Sequence, residues 1–151
     1  MTDTGVVTDS CYPYASGTTG KKTMCSMTCT GSGAFKPYKA LPFSSYTSID
    51  DIQMALYTGG PIETGFLVFE DFMSYKSGIY VHKTGAQVGG HAVKIIGWGT
   101  EGGVNYWIVA NSWGPDWGEG GYFRIKMGEC EIEKQGIAGL PDLSNQYGVS
   151  I

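Results

Sequence analysis

The sequence predicts an α+β chain: mainly antiparallel, barrel-like sheet, with one helix packed early against it. Three observations carry this. Glycine accounts for 24 of 151 residues, about 16% against a usual share of about 7%, and stands beside 20 aromatic residues. That combination reads as short strands, tight turns and close backbone approaches, and it excludes a helical bundle. A single clean helix signal follows Ser48, and beyond Pro61 the apolar residues recur with period two or in continuous runs.

The first 47 residues show turn chemistry and little periodicity, as in Tyr12-Pro13-Tyr14, Ser16-Gly17-Thr18-Thr19-Gly20 and Gly31-Ser32-Gly33. Ser48 with Asp51 three residues on reads as a helix N-cap, and Ile49, Ile52 and Leu56 fall on one stripe. Gly59-Gly60-Pro61 stops that helix. Strands are expected over Ile62–Phe69, Gly78–Val81, His91–Trp98, Asn105–Ala110 and Gly121–Met127, with Gly102-Gly103 as the hairpin turn. The chain thus divides into a loop-rich segment (1–47), a sheet-and-helix body (48–141) and a tail (142–151).

Composition removes several functions. Apolar residues make up 42% and charged residues 16%, too apolar for an intrinsically disordered tail. No apolar run reaches the roughly 18 residues of a membrane span. Net charge is −4 without a Lys/Arg cluster, so neither nucleic acid nor membrane is expected as a partner. Met1–Gly5 has no basic or apolar region of a signal peptide. Four cysteines occur, Cys11, Cys25, Cys29 and Cys130. Cys25-x3-Cys29 has a metal-ligand spacing, but His82 and His91 lie more than fifty residues away and a second close pair is missing. No metal and no cofactor are expected.

The chemistry concentrates on two strands. Gly89-Gly90-His91-Ala92-Val93 opens one, and Ile108-Val109-Ala110-Asn111-Ser112-Trp113-Gly114 closes another. Gly89 and Gly90 let the backbone turn tightly and leave room beside the ring for a substrate. An amide oxygen on Asn111 suits one imidazole N–H of His91, fixing tautomer and orientation while the other nitrogen faces a nucleophile. Trp113 is placed to cover that bond from water. On these residues alone, a hydrogen-bonded core histidine and an ordinary turn asparagine are equally open.

The wider pattern resembles the papain family of cysteine peptidases, and within it the cathepsin B branch. The blocks are Asp9-Ser10-Cys11-Tyr12-Pro13-Tyr14, Tyr75-Lys76-Ser77-Gly78-Ile79-Tyr80, Gly89-Gly90-His91-Ala92-Val93 and Gly97-Trp98-Gly99. They continue through Tyr106-Trp107, Asn111-Ser112-Trp113-Gly114, Trp117-Gly118 and Gly120-Gly121-Tyr122-Phe123. The resemblance implies a papain-like fold, mainly its right-hand lobe with one helix, residues 1–47 joining the lobes. It implies His91 as catalytic base, Asn111 as its orienting residue, and Trp113 as the indole shielding them on the leaving-group side. It places Gly65, Gly90 and Ala92 on the substrate side, with Gln135 at the far end of the pocket for the second residue upstream of the scissile bond. There the branch carries Glu, and Glu131 replaces its usual Gly, so a shift bringing Glu133 into the pocket stays open. Cys11 and Cys29 are expected to pair, closing a loop worth about 3 kcal/mol. Cys25 is left without a partner, and Cys130 is a free thiol, buried at least in part.

The departures are as informative. The nucleophile signature C-G-[SA]-C-[WY] is absent, and Cys11 precedes His91 by only 80 residues, against about 130–150 in the family. The family's oxyanion Gln is missing as well, since Gln53 and Gln87 have no matching context. The expectation is a second lobe without its nucleophile, inactive alone, whose partners are a peptide or protein substrate, the missing N-terminal lobe and cystatin-like inhibitors. An acidic, lysosome-like vesicle or secretion is implied. Two other classes remain: a non-catalytic truncated homologue, and a protein- or glycan-binding module built on Trp98, Trp107, Trp113 and Trp117.

Overall fold

The structure, a computed structural model, describes residues 2–144. The rest of the tail expected over 142–151 lies outside the described residues. By internal contacts the chain forms two units, one comprising Phe43–Ala138 and the other the flanking segments Met1–Pro42 and Gly139–Ile151.

In the larger unit, helix α2 (Ile49–Gly59) forms where its caps dictate. Ser48 Oγ accepts from Asp51 N at 3.2 Å and donates to its carboxylate at 2.7 Å, satisfying an end donor no helical carbonyl reaches. Gly60, at φ 96°, closes the other end through its N–H to Leu56 O. Ile52 and Ala55 are buried, and Ile49 and Leu56 pack against the same core.

Seven strands form one sheet in the order β1 (Ser44–Tyr46), β7 (Gly136–Ala138), β2 (Ile62–Phe69), β4 (Gln87–Glu101), β5 (Val104–Ala110), β6 (Tyr122–Lys126) and β3 (Ile79–Tyr80). Alternation puts Ile62, Thr64, Phe66 and Val68 of β2 inward. Val93 and Ile95, Trp107 and Val109, and Phe123 and Ile125 meet them from β4, β5 and β6. Gly102 and Gly103, at φ 58° and 78°, make the two-residue hairpin turn between β4 and β5.

Two expectations need correction. The strand bearing His91 starts at Gln87 and runs to Glu101 rather than covering His91–Trp98. Gly89 and Gly90 therefore lie within it and make no turn. The sheet is mainly antiparallel, with β3 paired to β6 in parallel. Trp107 is fully buried, whereas Trp98 is 39% exposed. Short elements carrying too few residues for a period also went unforeseen, namely β1, β7 and a four-residue helix α1 (Ser16–Thr19).

A 3-10 helix, Glu70–Ser74, follows β2 and fastens the loop that leads into β4. The Asp71 carboxylate accepts from Tyr80 Oη at 2.6 Å, Lys83 N at 2.8 Å and Thr84 N at 3.2 Å, and lies 3.1 Å from His82 Nδ1. His82 stacks on Phe69 with ring centroids 3.8 Å apart. Among the described residues no helix is long and apolar enough to cross a membrane.

In the smaller unit, Cys11 and Cys29 form a disulfide, and Thr30 N and Gly31 N both donate to Cys11 O. Val6 pairs with Tyr38, and Ala40 with Pro141. Cys25 is a free, exposed thiol. With Cys29 oxidised, the Cys25-x3-Cys29 spacing has lost one of its two ligands.

Candidate active site

β4 and β5 run antiparallel, so the His91 strand and the segment leaving Ala110 lie side by side. His91 Nε2 lies 2.8 Å from Asn111 Oδ1. The same oxygen accepts from Ser112 N at 2.8 Å. Because a backbone N–H can only donate, that contact fixes which end of the amide is the oxygen. His91 Nε2 must then be the donor, leaving Nδ1 as the nitrogen able to take a proton. Asn111 is itself tied at its backbone, N–H to Gly121 O at 2.9 Å, and its Nδ2 is buried without an acceptor among the described residues.

The indole of Trp113 stacks on the imidazole, centroids 5.0 Å apart and planes 23° from parallel. Phe66 approaches the ring at 6.1 Å. Behind them lies an aromatic cluster centred on the fully buried Phe72, which touches Phe66, Tyr75, Tyr80, Trp113, Trp117 and Phe123 at 4.9–6.2 Å. Edge-to-face contacts of this kind add to area burial and hold the rings in place. Neither Phe72 nor Phe66 was singled out in the sequence, although the period-two pattern of β2 turns Phe66 inward.

A cleft of about 330 Å³ opens beside His91. Gly65, Gly90, Ala92 and Gln135 all line it, so the structure brings these four sequence-derived positions together around the histidine. Gly65 faces Ala92 across the β2–β4 ladder. A methyl on Gly65 would come within 3.2 Å of Gln135 Oε1, so a side chain there would press on that amide. Glu133 lies elsewhere: it is buried, its Oε1 accepting from Trp107 Nε1 at 2.8 Å and Gly128 N at 2.7 Å.

Cys130, the single cysteine of the larger unit, is half-buried and free. Burial, with added repulsion from Glu129 and Asp71, pushes its thiol up to about 12. It remains a protonated thiol at physiological pH and cannot serve as a thiolate nucleophile.

The sheet thus presents an imidazole oriented by an amide and roofed by an indole, an arrangement able to hold a general base in place. The chain belongs to the papain family of cysteine proteases, which residues 1–140 match. It is 51% identical over 145 residues to "Cathepsin B-like CP3" of Giardia intestinalis, covering 93% of this chain and 48% of that protein. It is 47% identical over 140 residues to a "Gut-specific cysteine proteinase" of Caenorhabditis elegans, covering 85% and 43%. Among solved structures it resembles procathepsin B S9 from Trypanosoma congolense, with TM-score 0.83 and 37% identity over 95% of this chain and 51% of that one. The fold is therefore papain-like and corresponds to the right-hand lobe. The chain spans about half the length of the curated relatives it matches.

Proposed function

We propose that this chain is the base-bearing lobe of a cathepsin B-like cysteine endopeptidase, whose nucleophile comes from a first lobe outside these residues. The observation that carries the reading is the bond between His91 Nε2 and Asn111 Oδ1 beneath Trp113. In the assembled enzyme a cysteine thiol transfers its proton to His91 Nδ1, and the thiolate attacks the scissile carbonyl. The imidazolium then protonates the departing amine, leaving an acyl-enzyme. Water, deprotonated by the same nitrogen, releases the acid. Asn111 keeps the ring facing the reaction, and Trp113 keeps solvent off its anchoring bond.

Exposed apolar residues on β4, Val88, Ile96 and Trp98, support a partner surface of the kind the missing lobe requires. A disulfide in the flanking unit supports an oxidising route, to an acidic lysosome-like vesicle or to secretion. Cystatin-like inhibitors are further partners of this reading.

The stretch where cathepsin B carries its occluding, two-histidine loop is here Ala15–Met24, ten residues without His. Lys21 and Lys22 carry charge there, but on a short loop without histidine, so the assembled enzyme should cut within chains. Mass spectrometry of a digested peptide should show internal cleavage only; stepwise release of C-terminal dipeptides would contradict it.

Gln135 supports an apolar preference at the second residue upstream of the cut. An arginine there meets an amide dipole where a carboxylate would have supplied a charge-assisted bond worth about 1.5–3 kcal/mol. Phe-Arg substrates are therefore expected to exceed Arg-Arg substrates in kcat/KM by about ten-fold, and Gln135→Glu should narrow the gap. Equal rates in the parent would remove Gln135 from this role.

A further inference from the structure

The cleft beside His91 contains a residue that its backbone disfavours. Cys130 and Glu131 are the two non-glycine residues with left-handed backbone among the described residues, at φ 52° and 61°. Glycine would sit there without strain. Strain kept at the wall of a ligand cleft is a reason to look for a use.

The turn is held firmly enough to impose it. Cys130 O accepts from Leu67 N at 2.8 Å, Ile132 O accepts from Thr64 Oγ1 at 2.6 Å, and Glu133 anchors Gly128 N and Trp107. Those fastenings place Glu131 on the wall of the cleft together with Lys134 and Gln135. There the Lys134 ammonium lies 2.7 Å from Glu131 Oε1. The other carboxylate lining the cleft, Glu63, stands directly across the β2–β4 ladder from Lys94.

We propose that Lys134 is a specificity-determining residue, which masks the Glu131 carboxylate on the cleft wall and so keeps the pocket from accepting a basic side chain two residues upstream of the scissile bond. Glu131 is then a latent acceptor for arginine, silent while paired. This rests on the peptidase reading. It requires the sum of charges rather than a strong bond. Both side chains are substantially exposed, at 65% and 48%, and an exposed ion pair adds little to stability. An entering guanidinium nevertheless meets a cation beside the anion, and its net attraction is small. Removing the lysine leaves an unmasked carboxylate in the cleft beside the Gln135 amide.

The test uses the chain joined to a first lobe bearing the family's Cys-Gly-Ser-Cys-Trp stretch, with the Arg-Arg to Phe-Arg ratio of kcat/KM as readout. Lys134→Gln should raise that ratio about five-fold at low salt, with the gain shrinking near 1 M salt as the charges are screened. Adding Glu131→Gln to Lys134→Gln should cancel the gain. An unchanged ratio in Lys134→Gln, or a gain that survives in the double variant, would overturn the proposal. A second measurement separates it from the peptidase reading. NMR titration of the 151-residue chain with N-acetyl-argininamide and N-acetyl-phenylalaninamide, followed at the Gln135 side-chain amide, should show the arginine probe tightening in Lys134→Gln. That result beside an inactive fusion would keep the pocket assignment and discard the peptidase. An active fusion with no tightening and no ratio change would do the reverse.

Discussion

The 151-residue chain alone is expected to turn over no fluorogenic peptide, and to gain thiol-dependent activity when joined to a nucleophile-bearing first lobe. His91→Ala should then lower kcat/KM by about 10³-fold or more, because the thiol loses the base that ionises it and the acid that protonates the leaving amine. The geometry also specifies the graded result. Asn111 touches only Nε2, so it acts by holding the ring rather than by moving a proton. Asn111→Ala should cost less, about ten-fold or more, and should shift the acid limb of the pH–rate profile along with kcat. Alkylation should abolish the remaining activity in both variants. Turnover by the unjoined chain that an alkylating agent and His91→Ala both remove would overturn the two-lobe reading. An equal loss in the two variants would overturn the division of roles.

Phe72→Ala should be the most destabilising single change in the larger unit, at about 3–5 kcal/mol, the usual cost of emptying a buried phenylalanine site. The side chain is fully buried, and six other aromatic rings rest on it. Neighbouring backbone cannot easily collapse into the space, because β2, β6 and the 3-10 helix are each fixed by ladder or turn bonds. Thermal unfolding should move down by about 10 °C or more. The effect should reach the site as well, since Trp113 rests on Phe72 at 5.6 Å and on His91 at 5.0 Å. A loss below about 1 kcal/mol would show that the cluster relaxes around the cavity.

What the sequence made legible follows from how locally each feature is encoded. The capped helix and strand β2 emerge within a residue or two, and the Gly102-Gly103 hairpin falls where its left-handed turn requires it. The pairing of His91 with Asn111 was readable only through the family-like blocks around them, because a lone histidine and a lone asparagine have many ordinary uses. The parallel pairing of β3 with β6 was not, because a two-residue strand carries no direction. Glu133 was ambiguous for a related reason. A carboxylate one turn from a pocket looks the same in sequence whether it faces ligand or a buried indole, and only Trp107 decides it. Phe72 was hidden by a 3-10 turn too short for any period.

The clasp that Asp71 makes sets how this part of the fold responds to acid. Burial pulls that carboxyl upward, but donors from Tyr80, Lys83, His82 and Thr84 outweigh it and hold the group far below the ordinary carboxylate range. A carboxylate depressed in this way contributes its full stability above the unfolded value, about 3.9, and loses it only as the pH falls from there toward the folded value. Measured by urea unfolding, the deficit of Asp71→Asn should be constant from neutral pH to about pH 4 and shrink only below that. A deficit that already shrinks well above pH 4 would overturn the assignment to the depressed Asp71 carboxylate. The approach to the histidine strand is thus latched by a polar knot that mild acid does not untie, because its carboxylate keeps its charge there.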